Sequence, residues 1–422
     1  MGVPSWDDIV LIEHGKNPGD PTVVTVNCPD KAGLGCDLCG IVLEFGLYVT
    51  RGDFTTDGKW CYIVLWVVPR PSSIKIDWDS LKNRLLSACP SCMISFYLNQ
   101  QTGPSPPPAV YLLKVFCLDR KGLLHDVTKL LCELELTIQR VKVMTTPDDK
   151  VLDLFFITDT MNLLHTPERR TETCRHLELV LGNYCISCEI ALAGPEYVGQ
   201  QEISSLPPEV MEDLFSCNLS NKESSSEGVT SSMARARKST VTVDNTLSPV
   251  HTLLQIQCSD QKGLIYDILR TSKDFDIQIS YGRISTSAKG QRNMDLFVQK
   301  KDGKKILDHE DQVALCSRLK EEMLHPLRVT ITSRGPETEL LVANPVELSG
   351  KGRPRVFYDV TVALKALGIC IFSAKINRHS TPDRQWEVYR FLLEESRKFP
   401  LASRRARNEI VEKVKGTLMG WL

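Results

Sequence analysis

Apolar and polar positions along the chain fall into a pattern that repeats. Val23-Val24-Thr25-Val26, Tyr111-Leu112-Leu113-Lys114-Val115 and Leu253-Leu254-Gln255-Ile256 are short apolar stretches that predict strands. A glycine-containing loop follows each. Apolar residues then recur at helical spacing, as Leu38, Ile41, Val42 and Phe45 in the first copy and Val127, Leu130, Leu131 and Leu134 in the second, with Gly46 placed to stop the first helix. Two more strands are predicted in each copy, over 47–54 and 60–68 around an Asp57-Gly58 hairpin, over 137–144 and 151–157, and over 277–285 and 294–298. The last of these strands opens on similar strings, Leu152-Asp153-Leu154-Phe155 and Met294-Asp295-Leu296-Phe297. A second amphipathic helix (80–88, 168–181, 310–323) and a final strand (93–98, 184–191, 327–332) close each copy.

This order, βαββαβ, predicts an α+β protein built from ferredoxin-like modules, each an antiparallel sheet with two helices on one face. The loop between first strand and first helix carries the clearest repeat, C-x-D-x-x-G-L-x-x-D. It reads Cys28, Asp30, Gly33, Leu34, Asp37; then Cys117, Asp119, Gly122, Leu123, Asp126; then Cys258, Asp260, Gly263, Leu264, Asp267. Asp30 and Asp119 are 89 residues apart, and Asp119 and Asp260 are 141 apart, so the second gap holds one unit plus roughly fifty residues.

A fourth, degenerate copy follows, with a strand over 340–342, Phe357-Tyr358-Asp359 opening a helix, strands over 369–377 and 386–393, and a helix over 404–418. Asp359 lies 92 residues after Asp267. Gly352 and Arg355 fall where Asp and Gly stand elsewhere, and no final strand follows, so the apolar run Ile9-Val10-Leu11-Ile12 is a candidate to cover the open edge. The predicted modules span 21–100, 109–192, 250–333 and 337–422. Gly103-Pro-Ser-Pro-Pro-Pro108 is a stiff spacer between the first two, and 196–249, rich in Ser, Thr, Asn and Glu, predicts a long flexible central linker with one helical turn near 209–215. Two tandem pairs of modules flanking that linker are the expected arrangement. Arg235-Ala-Arg237-Lys238-Ser239-Thr240 within it has the spacing of a basophilic kinase site, or of incidental linker charge.

Composition narrows the function. A net charge of −1 gives no field to hold a nucleic acid or an acidic membrane, and no apolar run is long enough to span a bilayer. The N-terminus lacks a signal core, so cytoplasm or nucleus is expected. Fifteen cysteines, an odd number, are expected to be reduced. Cys36/Cys39, Cys89/Cys92 and Cys185/Cys188 leave a zinc- or redox-responsive alternative open, although free cysteines equally serve as small core residues. His125 beside Asp126 has Cys36 and Tyr266 as counterparts, so no acid–base pair repeats. No P-loop, dinucleotide fingerprint, HExxH or G-x-S-x-G occurs, and a non-enzymatic protein without cofactor or metal is expected.

On Asp30-Lys-Ala-Gly33-Leu34, Asp119-Arg-Lys-Gly122-Leu123, Asp260-Gln-Lys-Gly263-Leu264 and Val356-Phe357-Tyr358-Asp359-Val360, the chain resembles the plant ACT-domain-repeat family from Thr22 to its C-terminus. The resemblance implies a regulatory sensor that binds a free amino acid between paired modules, signals to a protein partner and has the capacity to form a homodimer. The ligand contacts it implies are Asp30, Gly33, Leu34, Asp119, Gly122, Leu123, Asp260, Gly263 and Leu264. A glycine at a helix start brings unpaired amides and the helix dipole to a carboxylate, and the leading aspartate suits an ammonium. As helix caps, the same aspartates need no ligand, and an interaction scaffold without ligand is the alternative. Gly122→Val is expected to disable the second loop while leaving folding largely intact.

Overall fold

In the computed structural model, residues 9–17, 19–70, 75–90, 108–146, 148, 150–194, 206–215, 239–287, 290–335, 337–347, 350, 352–394 and 400–421 are described. The first module is β1 (Val10–Glu13), β2 (Thr22–Pro29), α1 (Leu34–Glu44), β3 (Leu47–Thr56), β4 (Trp60–Pro69) and α2 (Trp78–Ala88). The second is β5 (Tyr111–Leu118), α3 (Leu123–Glu133), β6 (Leu136–Thr145), β7 (Lys150–Asp159), α4 (Pro167–Leu181) and β8 (Cys185–Leu192). After α5 (Pro208–Phe215), the third runs β9 (Thr240–Asp244), β10 (Thr252–Ser259), α6 (Leu264–Asp274), β11 (Ile277–Thr286), β12 (Gln291–Lys300) and α7 (His309–Leu324). The fourth is β13 (Arg328–Arg334), β14 (Glu337–Pro345), α8 (Val356–Leu367), β15 (Ile371–Ser380), β16 (Gln385–Leu393) and α9 (Arg404–Met419). The α+β fold of tandem ferredoxin-like modules is thus present.

The modules do not pair as sequence neighbours. The chain forms two compact units, one holding modules 1 and 3 and the other modules 2 and 4. In the first, β3 pairs with β11 in an eight-stranded sheet ordered β1-β2-β4-β3-β11-β12-β10-β9. In the second, β6 pairs with β15 in the order β13-β14-β16-β15-β6-β7-β5-β8. This corrects the expected tandem pairs, and one ion pair across each interface accompanies it. Lys273 in the last turn of α6 bridges to Asp37 of α1 at 3.1 Å, and Lys365 in the last turn of α8 bridges to Asp126 of α3 at 2.8 Å. The matching positions in α1 and α3 are Leu43 and Cys132. Pairing module 1 with module 2 would leave Asp37 and Asp126 without those lysines.

Edge strands also depart from expectation. Among the described residues, only module 2 carries a final strand after its second helix that pairs within its own module, β8 against β5. The strand expected to finish module 3 is β13, which pairs with β14 and so covers the edge of module 4. Arg334 faces Glu337, with Gly335 at φ 62° in the turn, and a tight hairpin closes at far lower entropic cost than a return across a whole module. The place beside β10 is taken by β9, from the stretch expected as flexible linker. The run at 9–12, expected at the edge of module 4, instead supplies β1, which pairs with β2 of module 1. The strand expected over 93–98 lies outside the described residues.

The expected linker also contributes a helix to the described residues. The predicted turn near 209–215 is α5, whose Leu214 is buried with Leu341, Ala343, Trp386 and Val388 of the module 4 sheet, while Phe215 stacks on His379 at 4.8 Å. Arg235, Arg237 and Lys238 of the candidate kinase site lie outside the described residues. Thr240 is exposed at the start of β9.

Register explains one further misreading. Counted from the common ladder, Val143 faces Asp153, Ile284 faces Met294, Phe54 faces Ile63 and Ile376 faces Tyr389. Asp153 therefore matches Met294 and not Asp295, and the similar strings noted above are out of step by one residue. A one-residue slip reverses the face. Asp153 is accordingly buried at 1% exposure and Asp295 is exposed.

The interleaved pairing is open to direct test. Thr55 and Tyr281 face each other across β3 and β11. Directly opposed antiparallel residues sit about 4.5–5.5 Å apart, within disulfide reach. Thr55→Cys with Tyr281→Cys should crosslink modules 1 and 3 on mild oxidation, read as a linked peptide in non-reduced digests; linkage found only between modules 1 and 2 would contradict the arrangement.

Candidate ligand-binding clefts

Each repeated loop enters its helix through a glycine in the left-handed region, Gly33 at φ 78°, Gly122 at 77° and Gly263 at 75°, with no side-chain cap. The expectation that Asp30, Asp119 and Asp260 cap the helices is therefore corrected: they stand three residues too early. Asp37, Asp126 and Asp267 do occupy the first turns, where a negative charge suits the helix dipole. In module 4 the same position is held by Arg355 at φ 64°, as the spacing placed it.

A β-bulge recurs at one position in all four modules, between Val49 and Arg51, Ile138 and Arg140, Ile279 and Tyr281, and Ile371 and Ser373. Bulges free backbone groups from the ladder. Here they meet the facing module: Thr286 donates to the Thr50 carbonyl and Thr145 to the Phe372 carbonyl. Pairing therefore sets each glycine loop opposite the partner module's bulged strand, and a cleft forms between them.

The three clefts differ chemically. In the first, Asp30, Gly33 and Leu34 face Ser272, Lys273 and residues 277–279, and the space with its open mouth is about 610 Å³. Asp30 accepts from Thr56 Oγ1 at 2.6 Å, and the Lys273 stem lies across Gly33, where a Cβ would come within 2.7 Å of its Cε. In the second, of about 460 Å³, Asp119, Gly122 and Leu123 face Thr361, Lys365 and residues 369–371. Lys365 lies over Gly122 as Lys273 does over Gly33.

In the third, Asp260, Gly263 and Leu264 face residues 47–49. Arg292, 1% exposed, pairs with Asp260 at 2.8 Å and donates to the Val49 and Thr50 carbonyls. Its guanidinium fills the space between loop and bulge. In module 4 the loop is tied down instead: Arg353 donates to the Leu418 carbonyl, and its backbone exchanges hydrogen bonds with Asn344. Lys351 of that loop lies outside the described residues.

All nine sequence-predicted contact residues thus line interface clefts, with Leu34, Leu123 and Leu264 also seated in the cores. Lys273, Lys365, Arg292 and Asp153 were missed. The two lysines are 92 residues apart, the repeat length, which is the signal that identifies them. A side chain at Gly122 would be strained at its φ and would press on Lys365 Cε at 3.0 Å, so Gly122→Val perturbs folding as well as the loop, contrary to expectation.

The titratable groups sort the clefts further. Burial, reinforced by Asp119, pushes Asp153 up to about 8, and its Oδ1 has no hydrogen-bond partner among the described residues. Burial also raises Asp126, but Lys365 and Arg120 overcome that and hold it below the usual carboxylate range. His125, lowered by burial and by Lys365, stacks on Tyr358 at 5.4 Å. Cys117 and Cys258 are pushed up to about 12 chiefly by burial, so they stay protonated and pack. Cys28 and Cys61 touch at 3.7 Å. Cys92 lies outside the described residues, among which no three His, Cys, Asp or Glu side chains are arranged to hold a metal.

Paired ferredoxin-like modules with glycine-entry helices at their interfaces define a tandem ACT-type protein. Residues 12–90 match the family described as ACT domain-containing protein ACR10, N-terminal; 240–337 match the ACR9-like, ACT-like domain; and 338–420 match ACT domain-containing protein ACR9, C-terminal. The chain is 67% identical to ACT domain-containing protein ACR9 and 50% identical to ACT domain-containing protein ACR10, both of Arabidopsis thaliana, each over the whole of both chains. A segment covering 21% of the chain is 33% identical to 9% of the bifunctional uridylyltransferase/uridylyl-removing enzyme of Azospirillum brasilense. The chain belongs to the plant ACT-domain-repeat family.

Asp153 supplies a pH prediction. An unfolded aspartate titrates near 4, whereas the native one titrates at about 8. Between these values the native state holds a proton that the unfolded chain has lost, so stability falls as pH rises, by up to about 1.4 kcal/mol per unit, and levels off above 8. Asp153→Asn should therefore gain more in melting midpoint over wild type at pH 8 than at pH 5; equal gains would contradict the assignment.

Proposed function

We propose that the protein is a non-enzymatic regulatory sensor that binds a free α-amino acid in the clefts of the first and second loops, one in each unit. The carrying observation is that these two clefts join a left-handed glycine at a helix start, a leading aspartate and a lysine from the partner module. The ligand carboxylate would take the loop amides and the lysine, and its ammonium Asp30 or Asp119. Leu34 and Leu123 hold the loops to their cores. In the third loop, Asp260 is engaged by Arg292, and Asp260, Gly263 and Leu264 serve the interface alone. That filled cleft is the feature favouring the scaffold reading, in which the modules only associate.

A ligand spanning both modules of a unit stabilises their pairing and shifts the population of arrangements available to a protein partner. No helix among the described residues is long and apolar enough to cross a membrane. The sensing role, like a cytoplasmic or nuclear location and a homodimeric state, belongs to this proposal.

A thermal-shift screen of the twenty amino acids on the full chain tests it. At least one should raise a melting transition as its concentration passes Kd. Asp30→Asn and Asp119→Asn should each weaken one binding event about ten-fold, and Asp260→Asn neither. A flat response to every amino acid would leave the scaffold reading.

A further inference from the structure

Asp153 is out of place for a core position. At the same ladder position the other modules carry Ile63, Met294 and Tyr389, all buried. Only the second module puts a carboxyl there, buried in the lining of its cleft, while Asp119 of the same lining is exposed. An unpaired buried carboxylate is strongly unfavourable, and the nearby cations do not relieve it. Arg120 and Lys365 reach Asp126 instead, at 2.7 and 2.8 Å. The groups facing Asp153 are Cys117 on β5 and Asp119 in the loop after it, with Arg120, His125, Lys365 and Cys370 around the cleft.

We propose that the cleft of the second loop is selective for an amino acid with a cationic side chain, whose ammonium or guanidinium pairs with Asp153. The inference rests on the amino-acid reading above and adds the ligand's charge class. The lining suits such a ligand, because Val143, Val151, Ile369 and Ile371 are apolar around the one buried carboxyl of Asp153. The first cleft has Ile63 and Cys61 in its lining and no carboxyl at that depth, so it does not share this selectivity.

Calorimetric titration of the full chain with L-lysine, L-arginine and L-leucine tests the assignment, with wild type and Asp153→Asn compared. A single carboxyl-to-amide change of equal size should leave the fold intact and weaken lysine or arginine at least ten-fold, with leucine unaffected. At pH 7 the wild type should release close to one proton per bound cation, measured in two buffers of different ionisation enthalpy, because a paired Asp153 must ionise. The variant should release none. If leucine or another neutral amino acid binds wild type and variant alike while lysine and arginine bind neither, the charge assignment is overturned and the amino-acid reading stands. If no amino acid produces heat or a melting shift in either protein, both fall together.

Discussion

Everything in this protein that resembles a site depends on one constraint, the need to close the open edge of a four-stranded sheet. The strand that follows the glycine-loop helix of each module, β3, β6, β11 or β15, is left with unpaired backbone groups on one side. Joining β3 to β11 and β6 to β15 removes those edges and carries the helices into contact. The clefts are a by-product of that union. A glycine loop on one module meets a bulge on the other only because the two edge strands run antiparallel side by side, and neither half offers a complete surface alone.

The choice of partner then follows from charges too sparse to be seen without the repeat. Modules 3 and 4 each carry a lysine in the last turn of their first helix, and modules 1 and 2 each carry a first-turn aspartate that accepts it. The duplication that produced four modules has thus diverged into two types, pairing across the chain and not along it. Divergence also shows in what fills each cleft: Arg292 in the third, a tied-down loop in the fourth, Lys273 and Lys365 lying over the glycines of the first two.

Much of the fold was legible in the sequence because local signals set it. Alternation gave the strands, helical spacing gave the helices to within a residue or two, and Asp57-Gly58 gave its hairpin. The partners of the edge strands were not legible, since β1, β9 and β13 are short segments whose pairing depends on what else is free nearby; the hairpin between β13 and β14 outcompeted the longer return to module 3. Asp153 escaped notice for a different reason. The strings around Asp153 and Asp295 look alike, but strand faces alternate, and the true register, fixed by the bulge, turns one inward and the other outward. The loop residues Asp30, Gly33, Asp119 and Gly122 were legible because the same spacing recurs at three left-handed helix entries, with Arg355 replacing glycine in the fourth, whereas their partners across the interface had no sequence proximity to betray them.

The central claim is that a metabolite is held between a loop of one module and the bulged strand of another. Hydrogen–deuterium exchange on the full chain, with and without a saturating amino acid found by screening, reads this directly. The account predicts slowed exchange together at residues 30–37 and 277–279, or at 119–126 and 369–373, with 260–267 unchanged. Protection confined to one side of each interface, or seen only at the third loop, would contradict it.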